Sequence, residues 1–523
     1  MRETGTGNGG RYRLLGTAGA AAAVAGGWAV GTLPAHDPWG LWVPHGTAVT
    51  AAGYALAYGG LTALVVAWWL YGRTGAGVRH GLVTLGWWTA PFVVAPPLYS
   101  ADVYSYIAQG AMVLEGHDVY EAGPSVLDPA GPGGDAAASV GGHWTETPAP
   151  YGPFFLVLAR AVAWATGGTI VPAVLAMRLI ALAALALIAW ALLHLAREHG
   201  RSPGAALWLG ALNPLLLMHV AGGLHNDGLM TGLMLAGTVL VLRGRWIAGS
   251  VLIALAMMVK SPAAVALLFA AVVVGRAASG GPVRRTVKGL LGPGAVAGAV
   301  VLLATLAAGT GFGWVSTQGV AGRIHTALSA SSDIGLGLGH LLRLLAGTDP
   351  EPVKAAVQNL VLAAGIALIL WLAWRSATGR LEPAHGLGLG LVGLVALSPM
   401  VQPWYLLWGT AVLAATAGAS RVRDVVAVLS AALVYETQPS GSTPVYGFVL
   451  AGLTCAAGAL LLRREAAVNG TPPLPGRRRA GDTEDTGDAT GTKGTKGTKD
   501  IEGAGDTADT EGTGAGTGVR AGA

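Results

Sequence analysis

The stretch PPLYSADVYSYIAQG, residues 96–110, sets a single carboxylate, Asp102, among Tyr99, Tyr104 and Tyr106 at the end of a long apolar run. A carboxylate beside an apolar wall loses hydration, which raises its pKa, and it can then accept a proton from an attacking hydroxyl. The same residues fit a plainer role, a solvated span end with tyrosines at a membrane interface. A carboxylate at a helix centre costs about 2.5–3.5 kcal/mol on insertion scales and less at a boundary, so position alone leaves both readings standing.

Other polar groups also gather between apolar runs. His117, Asp118 and Tyr120 fall in EGHDVYEAGP, and HWTETPAPYGP occupies 143–153. His225, Asn226 and Asp227 follow NPLLLMHVAGGL. Three adjacent polar side chains between apolar helices need a cavity or one another. Asn226 and Asp227 also suit the simpler task of capping a span that begins at Gly228. No second histidine stands at a zinc spacing from His225, so no metal site is expected. Arg323 and His325 are placed where a phosphate could be held, an arginine fork matching phosphate oxygens well; the alternative is a solvated loop charge. Lys260, before Ser261-Pro262, could serve the same anion or snorkel to an interface. Gln402 suits hydroxyl recognition, and Trp404 and Tyr405 are either sugar platforms or belt aromatics.

The elements that must position these groups follow from composition. Of 523 residues only 11% are charged and 53% are hydrophobic, against roughly 25% charged in soluble proteins. The apolar residues fall in repeated runs of about 14 to 24, the pattern of a polytopic helical membrane protein. The net charge of +5 reflects loop arginines that set topology; no basic helix with interleaved aromatics points to nucleic acid. The single cysteine, Cys455, excludes an internal disulfide framework.

The positive-inside bias predicts a cytoplasmic N-terminus before an uncleaved first span at 14–33, a second span at 47–70 and a third at 81–98 that emerges outside just before Asp102. Residues 99–149 then form a large outer loop, and 151–167 an interfacial helix, since a full crossing would strand Arg197 and Arg201 outside. Residues 246–275 read as two short helices meeting at Lys260, and 309–350 as an outer loop. The expected fold is an all-α bundle of about 12 to 14 spans, divided into an N-terminal pair (1–80), a core (81–350), C-terminal spans (351–465) and a disordered cytoplasmic tail (466–523). On this topology the polar clusters lie together on the outer face of the cell membrane.

Five stretches, PPLYSADVYSYIAQG, GHDVYEAGP, TPAPYGPFFL, NPLLLMHVAGGLHNDGLM and SPMVQPWYLLW, resemble in order the polyprenol-phosphomannose-dependent alpha-(1→6)-mannosyltransferases of actinobacteria. These are membrane glycosyltransferases of the GT-C class, and the resemblance covers about residues 80–462. It implies mannose transfer from polyprenol-phosphate-mannose to a lipid-linked mannan acceptor, with inversion and without an obligatory metal or other cofactor. It implies that Asp102 is the base. Arg323, Lys260 and His325 would hold phosphate. Tyr104, Tyr106, Asp118, His225, Asn226, Asp227, Gln402, Trp404 and Tyr405 would line the substrates. Asp102 has no acidic neighbour, unlike the paired acidic motif common in the class, so Asp118 or Asp227 stands open as a second acid. Two rivals remain at this stage. One is a GT-C enzyme for another lipid-linked sugar or a protein acceptor. The other is a transporter or flippase, which the absence of repeated halves disfavours.

Overall fold

A computed structural model describes residues 6–468, and among these the chain is helical throughout, without a strand. Most of the segment expected to be a disordered tail, from residue 469 onward, lies outside the described residues.

Helices α1 (Thr6–Val30) and α2 (Thr47–Tyr71) form a hairpin. Their backbones touch because glycines line the crossing: a Cβ on Gly26 would stand 2.5 Å from the Gly53 carbonyl oxygen. Close approach through small residues is how helices associate where lipid gives no hydrophobic drive. Next, α3 (Val78–Thr89) tightens into a 3-10 turn at Ala90–Val94 and ends at Pro96-Pro97, where proline removes an N–H and disfavours helix in the residue before it. The expected loop then contains α4 (Asp102–Glu115) and α5 (Gly134–Val140), followed by α6 (Pro153–Thr166). At 14 residues α6 is shorter than the roughly 20 of a straight crossing. Arg160 within it donates to the carbonyls of Ala307 and Ala308 at 3.0 and 3.2 Å.

The long α7 (Ile170–Glu198) leads to a broken element. In it α8 (Pro203–Ala206) and α9 (Pro214–Leu216) each widen into a π turn, with a 45° bend between the two halves. Asn213 makes the break, its Oδ1 accepting the Leu215 N–H at 3.0 Å. Then α10 (Asp227–Leu242) descends, and α11 (Trp246–Met257) and α12 (Ala264–Ala277) meet at Lys260 as two short helices. After α13 (Pro282–Ala308), the supposed loop 309–350 proves largely helical: a 3-10 run at Gly313–Arg323 precedes α14 (Ala330–Ala346), which folds back on α15 (Pro350–Ala377). The bundle closes with α16 (Pro383–Ala396), α17 (Leu406–Thr416), α18 (Arg421–Leu433) and α19 (Val445–Val468).

Five helices, α2, α7, α13, α15 and α19, are long and apolar enough to cross a membrane, and the bent Pro203–Gly222 element makes a sixth if read as one span. Other apolar runs, among them α6, α10, α11 and α16, form helices of 10–17 residues. The bundle has two unlike ends. At one, Arg73 pairs with Glu465, Arg243 with Glu198 and His199 with Glu382, while Arg276 reaches the Ser376 carbonyl. At the other end lie the connections carrying Asp102, His225, Lys260, Trp404 and Glu436.

Candidate active site

Asp102 opens α4. The chain reaches it through Tyr99, whose φ of +67° lies in a region that bulky residues rarely adopt. That conformation is held from outside. The Tyr99 N–H donates to the Pro439 carbonyl at 2.8 Å, and Ser100 Oγ accepts the Asp102 N–H at 3.1 Å. A second non-glycine bend of this kind, Leu224 at +60°, turns the chain so that His225 faces back toward Asp102. The His225 Nδ1–H donates to Asp102 Oδ2 at 3.2 Å. Its ring stacks on Trp404, with centroids 3.8 Å apart and planes 24° from parallel. Tyr106, one helical turn after Asp102, donates to the same oxygen at 3.4 Å and accepts the Asn226 N–H at 3.4 Å.

Arg178 of α7 unites the two strands of chain that carry these groups, and sequence reasoning missed it. It is buried, and its guanidinium donates to the carbonyls of Ala95 at 2.8 Å, Pro96 at 3.3 Å and Ala221. A charge inside an apolar bundle is costly unless its donors are used; here they bind the approach to Asp102 to the approach to His225. The signal was present, an arginine in the middle of the most apolar span, but a lone arginine does not announce which carbonyls it will meet.

Beside this lies a buried ion pair. Lys260 Nζ donates to both oxygens of Asp227 at 2.9 Å, and Trp408 Nε1 donates to Asp227 Oδ1 at 2.7 Å. The ammonium also sits 4.4 Å from the centre of the Tyr405 ring, a cation–π contact. Asp102, Lys260, His325, Gln402, Trp404 and Tyr405 all border one cavity of about 860 Å³.

Other residues singled out in the sequence are placed elsewhere. Tyr104 points to the opposite side of α4 and donates to the Thr32 carbonyl at 2.6 Å. Asp118 is exposed and accepts the Tyr120 N–H at 2.8 Å, a local turn contact after the left-handed Gly116. Arg323 is exposed at the end of its 3-10 run and does not border the cavity. Asn226 is buried behind His225, its side-chain amide without a hydrogen-bond partner. Asp227 is committed to Lys260 and Trp408. His325 borders the cavity with its Nε2 2.7 Å from Asp333 Oδ1. Among the described residues no group of three or more His, Cys, Asp or Glu side chains is arranged to hold a metal ion.

The electrostatics around Asp102 oppose one another. Burial alone would push its carboxyl up; the hydrogen bond and charge of His225, the charge of Lys260 and the Ser100 hydroxyl outweigh that and hold it below the usual carboxylate range. Asp102 is therefore ionised at neutral pH, with its oxygens at the cavity wall, able to take a proton from a hydroxyl.

Comparison with known proteins decides the family. Residues 13–276 match the alpha-(1→6)-mannopyranosyltransferase N-terminal domain family, and residues 331–464 match the MptB C-terminal domain. The chain belongs to the alpha-(1→6)-mannopyranosyltransferase family. A probable alpha-(1→6)-mannopyranosyltransferase of Mycolicibacterium smegmatis is 38% identical to it over 77% of this chain and 78% of the relative. Alpha-(1→6)-mannopyranosyltransferase A of Mycobacterium tuberculosis is 32% identical over 86% and 88%, respectively. Alpha-(1→6)-mannopyranosyltransferase B of Corynebacterium glutamicum is 32% identical over 82% and 77%. No solved structure matches the chain.

For a mannosyltransferase with this site, His225 is expected to set the acid side of the pH range. Its hydrogen bond is the largest influence lowering Asp102, and burial the largest raising it. His225→Phe keeps a ring to stack on Trp404 and removes the donor, so the Asp102 pKa is expected to rise. A carboxylate base works when ionised, so with Asp102 in that role the acid limb of kcat/KM is expected to move to higher pH in the variant while the rate above neutrality changes less. A pH–rate profile of both proteins checks this; an unmoved acid limb would show that the limb belongs to another group.

Proposed function

We propose that this mannosyltransferase moves mannose from polyprenol-phosphate-mannose to the 6-hydroxyl of a lipid-linked mannan acceptor, with inversion, on the extracytoplasmic face of the membrane. The observation that carries the reading is the 860 Å³ cavity, which puts an ionised carboxylate among aromatic side chains at one end of a membrane bundle. In the reaction, Asp102 takes the proton of the acceptor hydroxyl as its oxygen bonds to the anomeric carbon. The bond from that carbon to the phosphate oxygen breaks, and its electron pair leaves with polyprenyl phosphate. A beta-linked donor gives an alpha product by this single displacement. Gln402 and the cavity-bordering rings of Trp404 and Tyr405 would contact sugar, aromatic faces and amides being suited to CH surfaces and hydroxyls. Lys260 and His325 would supply positive charge toward the leaving phosphate, and Asp227 would hold Lys260 in place. The leaving group is a monophosphate, so the reaction is written without a metal.

The cavity wall supports a lipid-linked donor. Val265, Ile324, Leu362, Leu394 and Met400 border it alongside the polar groups, giving an apolar surface against which a prenyl chain can lie. The arginine-rich end opposite the site supports the sidedness, because such residues stay in the cytoplasm; the N- and C-terminal helices both meet that end. Membranes containing the full chain, given polyprenol-phosphate-[14C]mannose and a short alpha-(1→6)-mannoside, are expected to form a labelled product that an alpha-mannosidase releases. Transfer from GDP-[14C]mannose but not from the lipid-linked donor would overturn the donor assignment, and transfer only of another lipid-linked sugar would overturn mannose.

A further inference from the structure

The cavity contains a second carboxyl that no motif suggested. Glu436, in the connection between α18 and α19, is 4% exposed and borders the same space as Asp102. Its surroundings are unlike those of Asp102. The Thr437 hydroxyl donates to Oε2, at 2.6 Å, and no Lys, Arg or His pairs with it among the described residues. Burial pushes its carboxyl up, opposed only by the Thr437 hydrogen bond.

The connection that carries Glu436 is rigid and fastened to the base. Pro439 accepts the Tyr99 N–H at 2.8 Å and the Thr32 hydroxyl at 3.3 Å. Gln438 bonds to Ser440 at 2.8 Å and accepts the Tyr446 hydroxyl at 2.6 Å. Gly441, at φ +87°, lies so close to the backbone of Ser100 that a Cβ there would stand 3.4 Å from Ser100 Cα. The turn thus rests on Tyr99 and Ser100, just ahead of Asp102. A buried carboxyl on a stiff turn beside Asp102, without a cation, has one side-chain hydrogen-bond partner among the described residues, Thr437. A buried polar group of this kind is costly unless something hydrogen-bonds to it, and the open side of this one faces the cavity.

We propose that Glu436, with Thr437 beside it, binds hydroxyl groups of the acceptor sugar and so orients the attacking 6-hydroxyl against Asp102. The proposal rests on the mannosyl-acceptor reading given above. The two carboxyls divide the work by environment, in the way that paired acids in one site take separate roles when their surroundings differ. Asp102, flanked by His225 and Lys260, is the ionised proton acceptor. Glu436, flanked by hydroxyls and apolar groups, is a hydrogen-bonding positioning residue, and when neutral it both donates and accepts, which matches a sugar hydroxyl.

The test is equilibrium binding to the purified full chain in detergent, with an alpha-(1→6)-dimannoside and, separately, polyprenyl phosphate as probes. Glu436→Ala is expected to weaken dimannoside binding about ten-fold or more, the usual consequence of losing a buried hydrogen bond to a ligand, and to leave polyprenyl phosphate binding unchanged. Glu436→Gln fills the same space, keeps a donor and an acceptor, and is expected to lose no more than about three-fold; it keeps the test open if the alanine variant does not insert. Dimannoside binding equal to wild type in Glu436→Ala overturns the proposal. So does a parallel loss of both probes in Glu436→Gln with a lowered melting temperature, which would make the residue a structural wedge. Wild type that binds polyprenyl phosphate but no mannoside overturns the acceptor reading itself.

Discussion

Asp102→Asn is expected to lower mannosyl transfer by about 10²–10⁴-fold in kcat, the range that a positioned general base supplies, with little change in KM. The amide keeps the size of the carboxylate, and its oxygen can still accept the His225 Nδ1–H at the 3.2 Å position. What it cannot do is take a proton. The measurement is radiolabel transfer in membranes matched for inserted protein. Tyr104→Phe is the control, since that hydroxyl serves only the Thr32 carbonyl and its loss leaves the cavity unchanged. Transfer by Asp102→Asn within a few-fold of wild type would move the base to another group.

Asp227→Ala is expected to be the most damaging substitution for stability. Lys260 Nζ holds both Asp227 oxygens, the Asp227 side chain is 2% exposed and that of Lys260 16%. Removing one member of a buried pair leaves an uncompensated charge, at a cost of about 3–5 kcal/mol. It also leaves the Trp408 indole N–H without its acceptor. The double variant Asp227→Leu with Lys260→Met carries neither charge and is expected to recover most of the melting temperature, because well-packed apolar groups replace buried ion pairs without loss. Its transfer activity stays low, since the cavity has lost its lysine. Thermal melts of the detergent-purified proteins decide the matter: a double variant no more stable than the single one would show that the pair shapes the fold beyond cancelling charge.

The sequence allowed the helical membrane bundle, a separate short helix at α6 and the helix break at Lys260 to be anticipated, because each follows from local rules of hydropathy, charge bias and proline. It also pointed to the residues that meet around the cavity, since polar side chains flanking apolar runs have few places to go. The failures are specific. Tyr104 and Tyr106 were read together around Asp102; once α4 begins at Asp102, however, positions four apart share a face and positions two apart do not, so Tyr106 contacts the carboxylate and Tyr104 cannot. Asp118 follows a left-handed glycine and is captured by its own turn. Lys260 was read as an anion ligand or a snorkelling lysine, and its ion-pair partner Asp227, 33 residues earlier in the chain, went unrecognised. Arg178 and Glu436 were invisible for the same reason: their meaning lies in carbonyls and a cavity wall contributed by segments far away. The stretch 309–350 was read as an outer loop between two spans, yet α14 forms there against α15 through Gly335 and Gly339, whose lack of side chains admits Lys354 and Pro350.

The Arg178 contacts have a further consequence. By tying residues 95, 96 and 221 together, they hold the approach to Asp102 and the approach to His225 as one piece. Across the cavity, the turn before α17 meets that piece through Trp404, whose ring stacks on His225, while Thr317, Gln318 and Val320 of the 3-10 run after α13 border the same space. A laboratory library confined to Thr317, Gln318 and Val320 would therefore vary the cavity wall while leaving Asp102, His225 and Trp404 in place.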